Sequence, residues 1–174
     1  MYRRTPFAVD EWYHCYTRGI EGRDTFQSPS DYNRFLDLLY LSNDTAPVDR
    51  GSLSSRMSPT ELFQLPRKRN IVAIGSYCLM PNHFHILIRE ITDGGITKFM
   101  RKLGTGYTMY FNLKNARIGN LFVKPFRSKH IEDDRYLRHV VQYIHLNTAA
   151  LFEPRIKDGH VNDFNVLERK MRTY

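Results

Sequence analysis

Residues 71–89 constrain the fold of this chain more than any other stretch. Residues 71–80 are apolar and rich in strand formers, Pro81-Asn82 is a turn signal, and residues 83–89 form a second apolar run. Strand, tight turn and strand predict an antiparallel hairpin. Side chains on a strand alternate between its two faces. His83 and His85 therefore project side by side, roughly 6–7 Å apart at the backbone, while Phe84, Ile86 and Ile88 point the other way. Two imidazoles aimed at one point can hold a divalent metal. A structural histidine pair reads the same way, so a metal site needs a third ligand and a reacting group.

The remaining elements follow from spacing. Residues 12–18 read as a first strand, stopped by Gly19 and Gly22. Ser28, Pro29 and Asp31 form an N-cap, an N1 proline and a capping-box partner, and Tyr32, Phe35, Leu36 and Leu39 continue at helical spacing. Ile96, Phe99, Met100, Leu103, Tyr107, Tyr110 and Phe111 mark a second amphipathic helix, locally weakened by Gly104 and Gly106. Leu121-Phe122-Val123 reads as a fourth strand broken by Pro125. A last helix starts at Asp133-Asp134, carries Leu137, Val140, Val141, Ile144, Thr148 and Leu151 on one stripe, and ends at Pro154. Residues 42–69 are polar, with Pro47, Gly51, Pro59 and Pro66, and read as an insertion or mobile loop with one short helix opening at Ser58-Pro59. Residues 155–174 read as a basic tail of weak structure. The order β, α, hairpin, α, β, α predicts an α+β domain of the ferredoxin-like or RRM-like kind, one antiparallel sheet covered by helices.

Composition narrows the function classes. The 174 residues suit one domain with a real core. No apolar run approaches the ~20 residues of a membrane span, and Met1-Tyr2-Arg3-Arg4 is not followed by the apolar region of a secretory signal. Cys15 and Cys78 are too few for a disulfide framework and fit a reducing cytoplasm. The net charge of +8, with 11 Tyr and 11 Phe, suits a single-stranded nucleic acid, which offers phosphates to cations and base faces to rings. Lys98, Arg101 and Lys102 near one helix start, and Arg127, Lys129 and Arg135 further on, are the expected phosphate contacts. A merely solvated charged face is the other reading.

The last helix offers partners for the histidines. At about 100° per residue, Tyr143 and Asn147 fall on one edge of the apolar stripe, one turn apart, whereas His139 and His145 do not share that edge. The Asn147 amide oxygen could complete a His/His/Asn metal site and the Tyr143 phenol would lie beside it. Both also read as ordinary boundary residues of an amphipathic helix. Tyr136, two turns earlier, is the rival nucleophile; Tyr107 and Tyr110 lie on the stripe of their own helix and read as core. Mixed nitrogen and oxygen ligation without thiolate suits Mg²⁺ or Mn²⁺ with open positions rather than closed structural zinc.

Tyr77-Cys78-Leu79-Met80-Pro81-Asn82-His83-Phe84-His85-Ile86-Leu87, then Tyr110-Phe111-Asn112, Tyr136-Leu137 and Tyr143-Ile144-His145-Leu146-Asn147, closely resemble the single-tyrosine HUH transposases, the IS200-like enzymes and their REP-associated relatives. The resemblance runs from about residue 12 to residue 151, with the Tyr13-His14-Cys15-Tyr16-Thr17-Arg18-Gly19 block resembling the family's first strand. It implies an HUH endonuclease fold over residues 1–174, with His83, His85 and Asn147 as ligands of a divalent metal. It also implies attack by Tyr143 on a phosphodiester of single-stranded DNA, next to a hairpin, through a 5′-phosphotyrosine, in a cytoplasmic, nucleoid-associated protein of a prokaryote. Oligomeric state stays open, since some relatives swap the tyrosine helix within a homodimer and others act alone. Thr148 stands where relatives commonly have Pro, Lys124-Pro125-Phe126 where they often have Gly-Arg-Phe, and the 42–69 segment is longer than in compact members. A hairpin-DNA-binding module with little turnover and a water-using phosphodiesterase are the alternatives.

Overall fold

A computed structural model describes residues 6–47 and 59–172. In chain order the elements are β1 (Trp12–Arg18), α1 (Pro29–Ser42), α2 (Pro59–Phe63), β2 (Val72–Met80), β3 (His83–Glu90), α3 (Gly95–Lys114), β4 (Arg127–His130), α4 (Asp134–Ala150) and α5 (Phe164–Arg172), with 3-10 turns at Ile20–Gly22 and Pro154–Asp158. The four strands form one antiparallel sheet in the order β2-β3-β1-β4. This is the α+β architecture read from the sequence.

Alternation along β3 sorts the protein into layers. Phe84, Ile86 and Ile88 join Tyr13 and Cys15 beneath Phe35 and Leu38 of α1 and Phe99, Leu103 and Tyr107 of α3, all buried. On the opposite face Leu87 and Cys78 pack with Val140 and Ile144 of α4. His83 and His85 share the α4 face because they are in phase with Leu87; His85 is buried and His83 half-buried. The hairpin thus delivers an apolar core on one side and an imidazole pair on the other.

Polar contacts fix the helices against this sheet. The Asp31 carboxylate accepts from the Ser28 and Gln27 backbone N–H groups and from Lys114 Nζ (2.7 Å) and Tyr110 OH (2.9 Å), joining the start of α1 to the end of α3. The fully buried Glu90 side chain accepts from the N–H groups of Gly95 (3.1 Å) and Ile96 (2.6 Å), the first donors of α3. Glu90→Ala leaves both donors buried without a partner, and the expected cost is about 2–4 kcal/mol. Urea unfolding checks it; a loss below about 1 kcal/mol would mean that water replaces the carboxylate.

Two expectations need correction. The fourth strand is not 121–123. Leu121 and Phe122 are both buried, so the chain dives into the core there instead of alternating, and Phe122 forms only an isolated bridge with Gly19. The true β4 follows Pro125 and consists of Arg-Ser-Lys-His at the sheet edge, where charge is common and apolar alternation is absent. The tail is not unstructured: Asp163 caps α5 by accepting from the Asn165 and Val166 N–H groups, and α5 buries Leu167. The helix expected over the 96–111 stripe is α3, which runs over 20 residues through Gly104 and Gly106.

Within the polar 42–69 stretch, residues 48–58, including Ser58, lie outside the described residues. Pro59–Phe63 is the short helix expected there. Its flanks are tied to the body: Asp44 accepts from the Lys68 and Arg69 N–H groups, and Lys98 and Lys102 donate to carbonyls of residues 44–46. Among the described residues no helix is long and apolar enough to cross a membrane.

Candidate active site

Register places a row of side chains across the α4 face of the sheet. His85 of β3 faces Tyr16 of β1 and Cys78 of β2, and Tyr16 faces Arg127 of β4. One step along, Arg18 faces His83; on the other side, His14 faces Leu87 and Lys129. Every second residue of β1 thus enters the same surface as the histidine pair.

The two histidines are held at their Nδ1 atoms. His85 Nδ1 lies 2.8 Å from His14 Nε2, and His83 Nδ1 lies 2.7 Å from Asn82 Oδ1. Their rings stand 5.1 Å apart, nearly perpendicular. His85 Nε2 is buried and has no hydrogen-bond partner among the described residues. A buried polar atom without a partner is costly unless a ligand satisfies it. Burial pushes His85 down to about 3, reinforced by the neighbouring positive charges that His14, His83 and Lys157 can carry; it also pushes His14 down to about 4, aided by Lys129. His83 is lowered as well, by burial and then Lys157. All three imidazoles are therefore neutral near pH 7, the form that can ligate a metal.

Helix α4 brings Tyr143 over this pair. Its ring centroid is 5.3 Å from that of His85, edge to face, and 6.0 Å from that of His14. It stays 39% exposed, so the phenol is open to a large substrate. Tyr16, Arg18, His83, His85, Arg127 and Tyr143 line a common cleft of about 480 Å³. Asn147, one turn beyond Tyr143, is buried; its Oδ1 accepts from Lys157 Nζ at 2.7 Å, and its Nδ2 has no partner among the described residues. Lys157 also lies 5.9 Å from the centre of the Tyr143 ring. Cys78 adjoins His85, but burial pushes its thiol up to about 11, so it offers no thiolate. Among the described residues no three His, Cys, Asp or Glu side chains are placed to hold a metal ion together.

The remaining candidates separate. Arg127 lies in the cleft and Arg101 in an adjoining one. Lys129 stands 4.2 Å over the Tyr136 ring, and Arg135 is exposed at the start of α4. Lys98 and Lys102 are turned onto carbonyls of residues 44–46, away from the cleft. Tyr136 stacks on His139 and does not line the cleft. Sequence reasoning missed His14 and Lys157. The period-2 phase of β1 was the signal for His14; a lysine in a segment read as a tail gave none for Lys157.

A family model described as "Transposase IS200 like" matches residues 53–147, more than half of the chain and including both histidines, Tyr143 and Asn147. The chain belongs to the IS200-like transposase family. The fold of this IS200-like chain is similar to that of a REP-associated tyrosine transposase solved bound to a REP hairpin, with a TM-score of 0.56 and 16% identity over 92% of this chain and 75% of that one. A chain from Deinococcus radiodurans R1, provisionally named a transposase, matches with a TM-score of 0.46 and 11% identity over 84% of this chain and 98% of that one. No curated protein matches.

Proposed function

We propose that this IS200-like chain cleaves and rejoins single-stranded DNA beside a hairpin, with Tyr143 as the attacking group. The observation that carries the reading is the Tyr143 ring poised over His85 of its own chain while His85 Nε2 stands buried and unpartnered. The REP hairpin on the similar structure supports a hairpin partner. The arrangement supports attack in cis, so a homodimer is not needed to complete the site.

His83, His85 and Asn147 fit a divalent ion: both imidazoles are neutral, both are tethered at Nδ1 with Nε2 remaining, and the Asn147 amide oxygen, whose present partner Lys157 Nζ would have to share or release it, lies on the helix that carries the tyrosine. When bound, Mg²⁺ or Mn²⁺ there supplies positive charge to the non-bridging oxygens of the scissile phosphate. Arg18 and Arg127 on the cleft rim hold the flanking phosphates. Tyr143 Oη forms a bond to phosphorus, the bond from phosphorus to the 3′-oxygen breaks, and the 3′-oxygen leaves as a hydroxyl. The phenol gives up its proton in the exchange. Lys157 adds a cation 5.9 Å from the centre of the ring. The 5′-phosphotyrosine retains the energy of the broken phosphodiester, so a later 3′-hydroxyl can displace the tyrosine without ATP.

Incubation with Mn²⁺ and a pool of hairpin oligonucleotides bearing randomised single-stranded flanks tests the reading. A denaturant-resistant protein–DNA adduct is expected, mapped by mass spectrometry to the peptide containing Tyr143. Release of 5′-phosphorylated DNA with no adduct would instead establish hydrolysis by water. Hairpin binding without any cleavage would establish a binding module.

A further inference from the structure

The cleft that holds Tyr143 does not end at Pro125. Thr17, Val123 and Pro125 also form one wall of a second cleft, about 540 Å³, that opens between the 122–126 segment and the outer face of α3. Its linings differ in kind. Phe122, Pro125 and Phe126 give flat apolar surface, and the α3 side gives the threonine hydroxyls at 105 and 108. Arg101 and Lys124 bring cations to it. This is the composition that takes a flat ring with polar edges attached to an anion.

Gly104 is the independent observation. It sits inside α3 with helical backbone, where glycine costs stability relative to alanine. Gly106, half a turn on, has a packing reason: a Cβ there would come within 3.1 Å of Leu38. Gly95 has one too, since its Cβ would collide with the Ile71 carbonyl. A Cβ at Gly104 would meet nothing within 4 Å, although Gly104 lines the second cleft. Among the described residues nothing requires a glycine at that point. A ligand that approaches the bare helix backbone would.

We infer that this second cleft is a subsite for one unstacked nucleobase of the strand whose phosphate lies beside Tyr143, with Gly104 as its open floor. The inference rests on the proposed single-stranded DNA substrate. The base lies between the 122–126 wall and α3, its edge faces the threonine hydroxyls, and its phosphate reaches Arg101 or Lys124. Because every base has a π-face, the subsite favours base over no base more than it reads sequence.

Fluorescence anisotropy tests it with labelled dT20 and dA20, against a 20-unit abasic strand that keeps the phosphates. The wild-type chain is expected to bind the base-bearing strands about tenfold more tightly. Gly104→Leu fills the floor and is expected to cut that ratio to about threefold or less, while abasic-strand affinity stays within about twofold. Gly104→Ala is expected to raise Tm by about 2–4 °C. A second readout uses the wild-type protein alone: 5-iodouracil in the strand is expected to photo-cross-link to the tryptic peptide 118–127. An unchanged ratio in Gly104→Leu, a Gly104→Ala that lowers Tm, or no cross-link in that peptide overturns the subsite and leaves the proposed function intact. A wild-type chain that binds neither kind of strand overturns both.

Discussion

Tyr143→Phe is expected to abolish covalent attachment to single-stranded DNA, by at least about three orders of magnitude, while DNA affinity stays within about threefold. The asymmetry follows from where Tyr143 sits. Its ring contributes contact to the cleft floor, edge to face with His85, and phenylalanine retains that ring. Only the hydroxyl that would bond phosphorus is lost, and among the described residues Tyr16 is the one other tyrosine lining the cleft. Tyr16 lines the cleft from β1, but it lies in the sheet, in register with His85, rather than on the helix above the histidines. Tyr136 is stacked on His139 under Lys129. Quantifying the adduct on denaturing gels, with anisotropy on the same oligonucleotides, separates the two effects. An adduct that persists in Tyr143→Phe moves the nucleophile elsewhere. Equal loss of affinity and adduct makes Tyr143 a binding residue.

What was legible in the sequence, and what was not, divides along physical lines. Alternation and helical spacing mark β1, the β2–β3 hairpin, α1, α3 and α4, because each buries one face against a core and the burial writes a period into the chain. β4 writes no such period. It is a four-residue edge strand held by its backbone to β1, with polar side chains on both faces, while the apolar residues before it serve the core as a plug. α5 is short and mostly polar, and its one deeply buried leucine among Arg, Lys and Glu gives a faint stripe. In the cleft, spacing alone relates His83 to His85 and Tyr143 to Asn147. It cannot relate the two pairs to each other, because that depends on α4 crossing the sheet at β2 and β3. The role of His14 was hidden for a related reason: its chemistry appears only once β1 is known to lie beside β3 in a given register. Lys157 reaches Asn147 because the chain folds back in a 3-10 turn just past α4, where proline signalled only an end.

His14 carries the second large effect. It does not line the cleft itself, yet it fixes His85 through a 2.8 Å contact between His14 Nε2 and His85 Nδ1. With both rings neutral, one nitrogen of that pair donates and the other accepts. When His85 donates from Nδ1, its Nε2 presents a lone pair toward the unpartnered side, the tautomer a metal needs. His14→Phe keeps the ring volume and removes the acceptor. His85 Nδ1–H is then buried unpaired, and the competing tautomer, protonated at Nε2, gains ground. The expected result is a 10–100-fold loss of Mn²⁺ affinity, read by calorimetry or by the paramagnetic signal of free Mn²⁺, without DNA in the assay. His85→Ala removes a ligand outright and is expected to lose more. His14→Gln restores an acceptor and is expected to recover part of the affinity, which a purely structural role in packing β1 against α4 does not predict. If His14→Phe binds Mn²⁺ as wild type does, the imidazole pair is structural at this position, and the metal site must be sought without His85 Nε2.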